Sequence, residues 1–135
     1  MINAEVTTGR NCFMAEIRGH AGFAPKGYDI VCAGVSALSM ALLEAVTIKV
    51  KRDSAACFSV EVNDGSFEIR VLGVKDKALS AELRSMFIML ISGLERIESD
   101  YPDYLNVNLF EFPYTGNDND TSEQTMNIQR EEDKG

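Results

Sequence analysis

Apolar and polar residues alternate along five segments of the chain, and along two others apolar residues recur every three or four positions. Alternation places the apolar side chains of a strand on one face, whereas the longer spacing places those of a helix on one side. The predicted strands cover residues 2–7, 12–18, 57–63, 67–73 and 104–112, and the predicted helices run from Asp29 to about Val50 and from about Ser80 to Glu98. The order ββαββαβ predicts an α+β domain with a mostly antiparallel sheet and two helices.

Turn residues and apolar content refine this prediction. Residues 8–11 and the pair Asp64-Gly65 separate neighbouring strands and predict two hairpins. Residues 86–94, MFIMLISGL, are apolar around most of the second helix. We therefore expect this helix to be buried on more than one side, either as a central helix or at a dimer interface.

The composition divides the chain into one domain, residues 1–115, and an acidic tail, residues 116–135. The tail is polar and lacks aromatic residues, which predicts disorder. The net charge is −8, and each part contributes −4, because the domain has 11 basic and 15 acidic residues and the tail has 2 and 6. An acidic domain disfavours direct nucleic-acid binding and is more compatible with a basic protein partner.

Membrane insertion, secretion and metal binding find little support in the sequence. No stretch approaches ~18 uninterrupted apolar residues, and the first residues lack the pattern of a secretory signal. The three cysteines, Cys12, Cys32 and Cys57, include no CxxC pair, and the chain has one histidine. This spacing predicts a reducing, cytoplasmic environment with no disulfide framework, no metal and no cofactor.

The most reactive cysteine is expected where the first helix begins. Asp29 is a good N-cap, so Cys32 lies in the first helical turn. The free N–H groups and the positive end of the helix dipole stabilise a thiolate there, and the same N–H groups can receive an oxyanion during acyl transfer.

The only histidine, His20, lies where a short loop leads from the second strand to that helix. An imidazole within hydrogen-bond reach of Cys32 would accept the thiol proton and return it to a leaving amine. Gly19, Gly22 and Gly27 make the loop mobile enough to open and close over a substrate.

Each of these residues also has an ordinary structural interpretation. A helical cysteine usually packs in the core, and a loop histidine is usually solvated. Cys12 and Cys57 lie in strand patterns and are expected to pack in the core or at a sheet edge. Asp29 is a cap first and a group that orients the histidine second, while Ser36 is expected to pack or to bond the helix backbone. Spacing alone leaves both interpretations of the Cys32 and His20 pair open.

The segment GHAGFAPKGYDIVCAGVSAL, residues 19–38, resembles the signature of the ribosomal-processing cysteine proteases, the Prp family. The resemblance implies that Cys32 is the nucleophile and His20 the catalytic histidine, with Asp29 and Ser36 in supporting positions and residues 21–28 closing over the substrate. Gly34 departs from the alanine usual in the family, and the acidic tail extends beyond the family's usual end.

The resemblance also implies an activity and partners. Members are homodimeric cysteine endopeptidases that remove an apolar, phenylalanine-rich N-terminal extension from a large-subunit ribosomal protein precursor. The alternative is a non-catalytic ribosome-assembly or peptide-binding module that uses the same loop and helix terminus to capture a chain end. A thiol redox sensor is disfavoured because no resolving cysteine lies near Cys32 in the sequence.

Overall fold

A computed structural model describes residues 1–25, 28–51, 53 and 55–112 of the chain. The elements are β1 (Ile2–Thr8), β2 (Phe13–Arg18), α1 (Ile30–Val50), β3 (Cys57–Asn63), β4 (Ser66–Leu72), α2 (Lys77–Asp100) and β5 (Leu105–Glu111). The predicted order is confirmed. Helix α2 begins at Lys77 rather than near Ser80, because the Asp76 carboxylate accepts the N–H groups of Ala78 and Leu79 and caps the helix there. The predicted tail, residues 116–135, lies outside the described residues.

The five strands form one sheet in the order β3-β4-β2-β1-β5. The pairs β1–β2, β2–β4 and β3–β4 are antiparallel, and β1–β5 is parallel. Both predicted hairpins and the mostly antiparallel sheet are therefore confirmed. The parallel pair arises because β5 follows α2, and a helical crossover returns the chain in the direction of β1.

One face of the sheet carries the core. Ile2, Ala4 and Val6 of β1 are buried, while Asn3 and Glu5 between them are exposed, as the alternation predicts. Helix α2 packs on this face against β1, β2 and β5, and α1 packs mainly against α2 and reaches β4. The buried residues of α2 recur at helical spacing: Leu79, Leu83, Phe87, Leu90, Ile91 and Leu94.

Of the two alternatives predicted for α2, the central helix is wrong, and burial at a dimer interface stays a prediction. Ile88 is 41% exposed and Met89 is 72% exposed, although their neighbours Phe87 and Leu90 are buried. The apolar run continues around the helix, but the core covers only the side that faces the sheet and α1. Helix α2 is thus an outer helix with two exposed apolar side chains.

Helix α1 is strongly apolar. Three of its large apolar side chains, Ile30, Met40 and Ile48, are exposed on the side away from the core. Among the described residues, it is the one helix long and apolar enough to cross a membrane by length and composition. The search for uninterrupted apolar runs did not find this helix, because Ser39 and Glu44 interrupt the run. The mean hydropathy of the helix stays high in spite of them. A core helix of a globular protein meets the same criterion, so the finding is weak evidence for a membrane.

Candidate active site

Cys32 lies in the first turn of α1, where the sequence places it. Asp29 has extended backbone angles, φ −83° and ψ 103°, and its Oδ1 accepts the Cys32 backbone N–H at 3.0 Å. This is the N-cap that the sequence predicts. The Cys32 side chain is partly buried against the core, so its sulfur meets both packed side chains and solvent.

The other oxygen of Asp29 holds the loop that precedes the helix. Oδ2 accepts the backbone N–H of Phe23 at 3.0 Å and that of Ala24 at 3.4 Å. Burial pushes the pKa of the Asp29 carboxyl upward, but hydrogen bonds from the N–H groups of Cys32, Ala24 and Phe23 and from the Cys32 thiol outweigh it, so the pKa lies below its ordinary value. Asp29 therefore joins the helix and the loop through one ionised carboxylate.

Phe23 gives the loop a second attachment. Its ring meets Tyr101 edge-on with the centroids 5.4 Å apart, and it meets Tyr104 edge-on at 5.2 Å. Both tyrosines lie between α2 and β5, so the aromatic contacts hold the loop against the end of α2. The described part of the loop is attached at its backbone and at one side chain.

The Cys32 sulfur accepts a hydrogen bond from the backbone N–H of Ala21 at 3.4 Å. A donor at this position stabilises a thiolate more than a thiol. Two of the N–H groups around Cys32 are engaged in the helix cap, because that of Cys32 donates to Asp29 Oδ1 and that of Ala33 donates to Asp29 O. An oxyanion role for the first turn of α1 stays a prediction. Ala21 supplies the N–H group that the structure records at the sulfur.

His20 lies just beyond β2 and is exposed. The Gly19 N–H donates to Gly65 O at 2.9 Å and carries the β2–β4 pairing one step past Arg18 and Ser66. The imidazole lies on Gly65, because a Cβ added there would be 2.6 Å from His20 Nε2. Among the recorded hydrogen bonds of the described residues, none joins His20 to Cys32 or to Asp29.

His20, Cys32 and Ser36 line one cleft of about 520 Å³. Its walls are the first turns of α1, the loop after β2 and the β3–β4 hairpin. Ser36 is exposed and lines this cleft, so of its two expected uses, packing and a bond to the helix backbone, the first does not apply. The apolar part of the lining consists largely of Ile2, Ile17, Val35, Met40, Val62 and Phe67. The cleft can therefore hold an apolar stretch of chain beside a thiol and an imidazole.

The loop glycines differ in what they permit. Gly19 has φ +103°, and a Cβ there would lie 2.5 Å from the Met1 carbonyl oxygen, so only glycine fits. Gly22 has φ +70° and open space around its Cα. Gly27 lies outside the described residues. Glycine is thus required at position 19, because the Met1 carbonyl oxygen approaches its Cα closely.

The other two cysteines lie away from the cleft, as expected. Cys12 is buried, and burial raises the pKa of its thiol, partly offset by Arg84. Cys57 is exposed on the edge strand β3. Within the described ranges, no group of three or more His, Cys, Asp or Glu side chains is placed to hold a metal ion.

Comparison with known proteins identifies the family. A family model described as cysteine protease Prp matches residues 1–106. The chain belongs to the cysteine protease Prp family. It is 34% identical over 96 residues to the Bacillus subtilis ribosomal processing cysteine protease Prp, a match covering 68% of this chain and 80% of that protein. The family predicted from residues 19–38 is confirmed, and the chain is a cysteine protease.

Solved structures share the Prp fold. The ribosomal processing protease Prp from S. aureus, in complex with a covalently linked product peptide, matches with a TM-score of 0.59 and 24% identity over 81% of this chain and 99% of that one. A protein from Streptococcus mutans matches with a TM-score of 0.61 and 24% identity over 82% and 95% of the two chains. At this identity the comparison establishes the architecture.

The sequence did not reveal the backbone part of the site. The contact between His20 and Gly65 depends on the pairing of β2 with β4, which brings residues far apart in the chain together. The Asp64-Gly65 signal predicts the hairpin but not its neighbour. The bond from Ala21 to the sulfur depends on the path of the loop, and no residue type signals it, because every residue except proline has a backbone N–H.

Proposed function

We propose that this Prp family member is a cysteine endopeptidase that removes an N-terminal extension from a large-subunit ribosomal protein precursor, using Cys32 as nucleophile and His20 as base. The observation that carries the proposal is the shared cleft, in which the thiol at a capped helix N-terminus and the only imidazole of the chain line one cavity. The name of the B. subtilis relative, a ribosomal processing cysteine protease, supports the class of substrate.

The chemistry follows from these groups. His20 accepts the proton of Cys32, and the sulfur attacks the carbonyl carbon of the scissile bond. The tetrahedral intermediate collapses as the C–N bond breaks, and the imidazolium gives its proton to the leaving amine. His20 then deprotonates a water molecule, which attacks the carbonyl carbon of the thioester. The resulting tetrahedral intermediate collapses as the C–S bond breaks, which releases the carboxylic acid, and the imidazolium returns its proton to the sulfur. The Ala21 N–H supports the thiolate before the first step.

The surroundings favour an apolar segment on a basic protein. Most of the cleft surface is apolar, which suits the apolar extension implied by the sequence resemblance. Residues 1–115 carry a net charge of −4, which attracts a basic ribosomal protein. The cytoplasm, where free thiols stay reduced, is the proposed site of action.

A cleavage assay tests the proposal. The purified chain is incubated with a full-length ribosomal protein precursor, and intact-mass spectrometry follows the loss of the N-terminal segment. Cys32→Ala and His20→Ala should each abolish cleavage, whereas Cys57→Ser, which removes an exposed thiol outside the cleft, should cleave normally. Turnover by Cys32→Ala would contradict the nucleophile. A Cys32→Ser variant that binds the precursor without cleaving it separates a protease from a binding module.

We also propose that the enzyme acts as a homodimer, with the exposed apolar side chains of α2 at the interface. Ile88 and Met89 are exposed without a partner on the described chain, and burying them against a second copy would remove apolar surface from water. Met89→Glu should convert the dimer to a monomer in analytical ultracentrifugation. Ile48→Glu on α1, 70% exposed before substitution, is the matched control, and dissociation by that variant alone would place the interface on α1 instead.

A further inference from the structure

The turn between β3 and β4 lies directly against the imidazole of His20. A Cβ built on Gly65 would lie 2.6 Å from Nε2, 3.1 Å from Cε1 and 3.3 Å from Cδ2, so the Nε2 end of the ring rests on the bare Cα of this glycine. The backbone of Gly19, the residue before His20, is also bound to Gly65, because the Gly19 N–H donates to Gly65 O at 2.9 Å. Side chain and main chain are thus held by one residue of the turn.

Within the described part of the chain, no carboxylate is hydrogen-bonded to His20. A catalytic imidazole is commonly aligned by a hydrogen bond from a third group. The obvious third group is Asp29, but its two oxygens accept the N–H groups of Cys32, Phe23 and Ala24. Among the described residues, no recorded hydrogen bond reaches the His20 ring. Contact with the turn is the restraint that remains.

We propose that Gly65 is a positioning residue for the protease reaction, and that the β3–β4 turn is the seat on which His20 is held toward the cleft. The proposal rests on the proposed function, in which His20 is the base for Cys32. Glycine serves at Gly65 for two reasons: the turn requires φ +73°, and any Cβ would occupy the space of the imidazole. The adjoining residues Asn63 and Asp64 line the same cleft, so a bound substrate touches the element that holds the base.

Gly73 provides a matched control for this proposal. It has φ +70°, close to the +73° of Gly65, but a Cβ there would meet only Ala55 O at 3.7 Å. Gly65→Ala and Gly73→Ala therefore impose similar backbone strain, and only the first pushes on His20. Because His20 is exposed, the ring can turn aside, and the two variants should lose similar amounts of thermal stability. If Gly65→Ala does not fold, Gly65→Asn keeps the Cβ on a residue that tolerates positive φ.

Two measurements separate positioning from stability. His20 is the only histidine, so its ring signals in a ¹H–¹³C NMR spectrum are unambiguous. We expect Gly65→Ala to shift these signals and to lower kcat/KM for precursor cleavage roughly 100-fold, the cost of a misplaced catalytic group. Gly73→Ala should leave both unchanged.

The outcomes also distinguish this proposal from the proposed function. If His20→Ala abolishes cleavage while Gly65→Ala and Gly73→Ala have equal kcat/KM and the same His20 spectrum, the positioning role of Gly65 is refuted. The assignment of His20 as the base then still holds. If His20→Ala cleaves normally, the base assignment fails, and the NMR comparison still reports whether the turn holds the ring. Shifted His20 signals together with a selective loss of kcat/KM in Gly65→Ala support the proposal.

Discussion

Asp29 joins helix α1 to the loop that precedes it, and removing its carboxylate should affect both. In Asp29→Ala, α1 loses its N-cap, which costs about 1 kcal/mol. The N–H groups of Phe23 and Ala24 also lose an ionised acceptor, and a hydrogen bond to a charged group contributes about 1.5 kcal/mol net when it is well formed. We expect the free energy of unfolding to fall by about 2–4 kcal/mol in total.

Two further variants divide this loss between cap and loop. Asp29→Asn keeps one oxygen for the Cys32 N–H but turns the other into an NH₂ group, so it should lose about 1–2 kcal/mol, mostly from the loop. Asp76→Ala removes the comparable cap of α2. The recorded bonds of the Asp76 side chain are those from the Ala78 and Leu79 N–H groups, so the free energy of unfolding should fall by about 1 kcal/mol. The difference between the two alanine variants isolates the loop anchor.

Urea denaturation gives the free energies, and amide hydrogen exchange at Phe23 and Ala24 reports the loop. The pH dependence has a defined sign. The pKa of Asp29 is lower in the folded chain, so its stabilisation is fully present above the unfolded pKa of ~3.9 and is lost as pH falls through the lower folded value. The advantage of the wild type over Asp29→Asn should therefore shrink below about pH 4. The anchor would be refuted by an Asp29→Ala loss no larger than that of Asp76→Ala, with unchanged exchange at Phe23 and Ala24.

Three other predictions concern stability and thiol reactivity. Thr8 Oγ1 is buried without a hydrogen-bond partner among the described residues, so Thr8→Val should raise the free energy of unfolding by about 1 kcal/mol in urea denaturation; a loss would indicate that the hydroxyl is bonded. Gly34→Ala should raise the free energy of unfolding by about 0.5–1 kcal/mol through helix propensity, since its Cβ would meet only the flexible end of Ile97 at 3.1 Å. A lower free energy of unfolding would mean that Ile97 cannot move. Iodoacetamide followed by mass spectrometry should label exposed Cys57 and spare Cys12, whose burial and raised pKa suppress the thiolate; rapid native labelling of Cys12 would contradict its burial.

Local patterns were sufficient for most of the fold. Alternation predicted the strands, helical spacing predicted both helices, and Asp29 correctly marked the start of α1, because side-chain periodicity and helix capping depend on residues within a few positions. The central-helix alternative for α2 failed for a different reason. Ile88 and Met89 belong to an apolar run, and the run does not state which of its sides the core will cover.

The sequence by itself determined the element order, the N-cap that places Cys32 in the first turn of α1, and the signature at residues 19–38 that marks the family. Only the tertiary structure decided what surrounds these residues. The pairing of β2 with β4 brings Gly65 beneath His20, and the path of the loop brings the Ala21 N–H to the Cys32 sulfur and the Phe23 N–H to Asp29. These contacts join residues through backbone atoms or across long sequence separations. Backbone N–H and C=O groups are the same at nearly every position, so a pattern of side chains does not predict which of them will form these contacts.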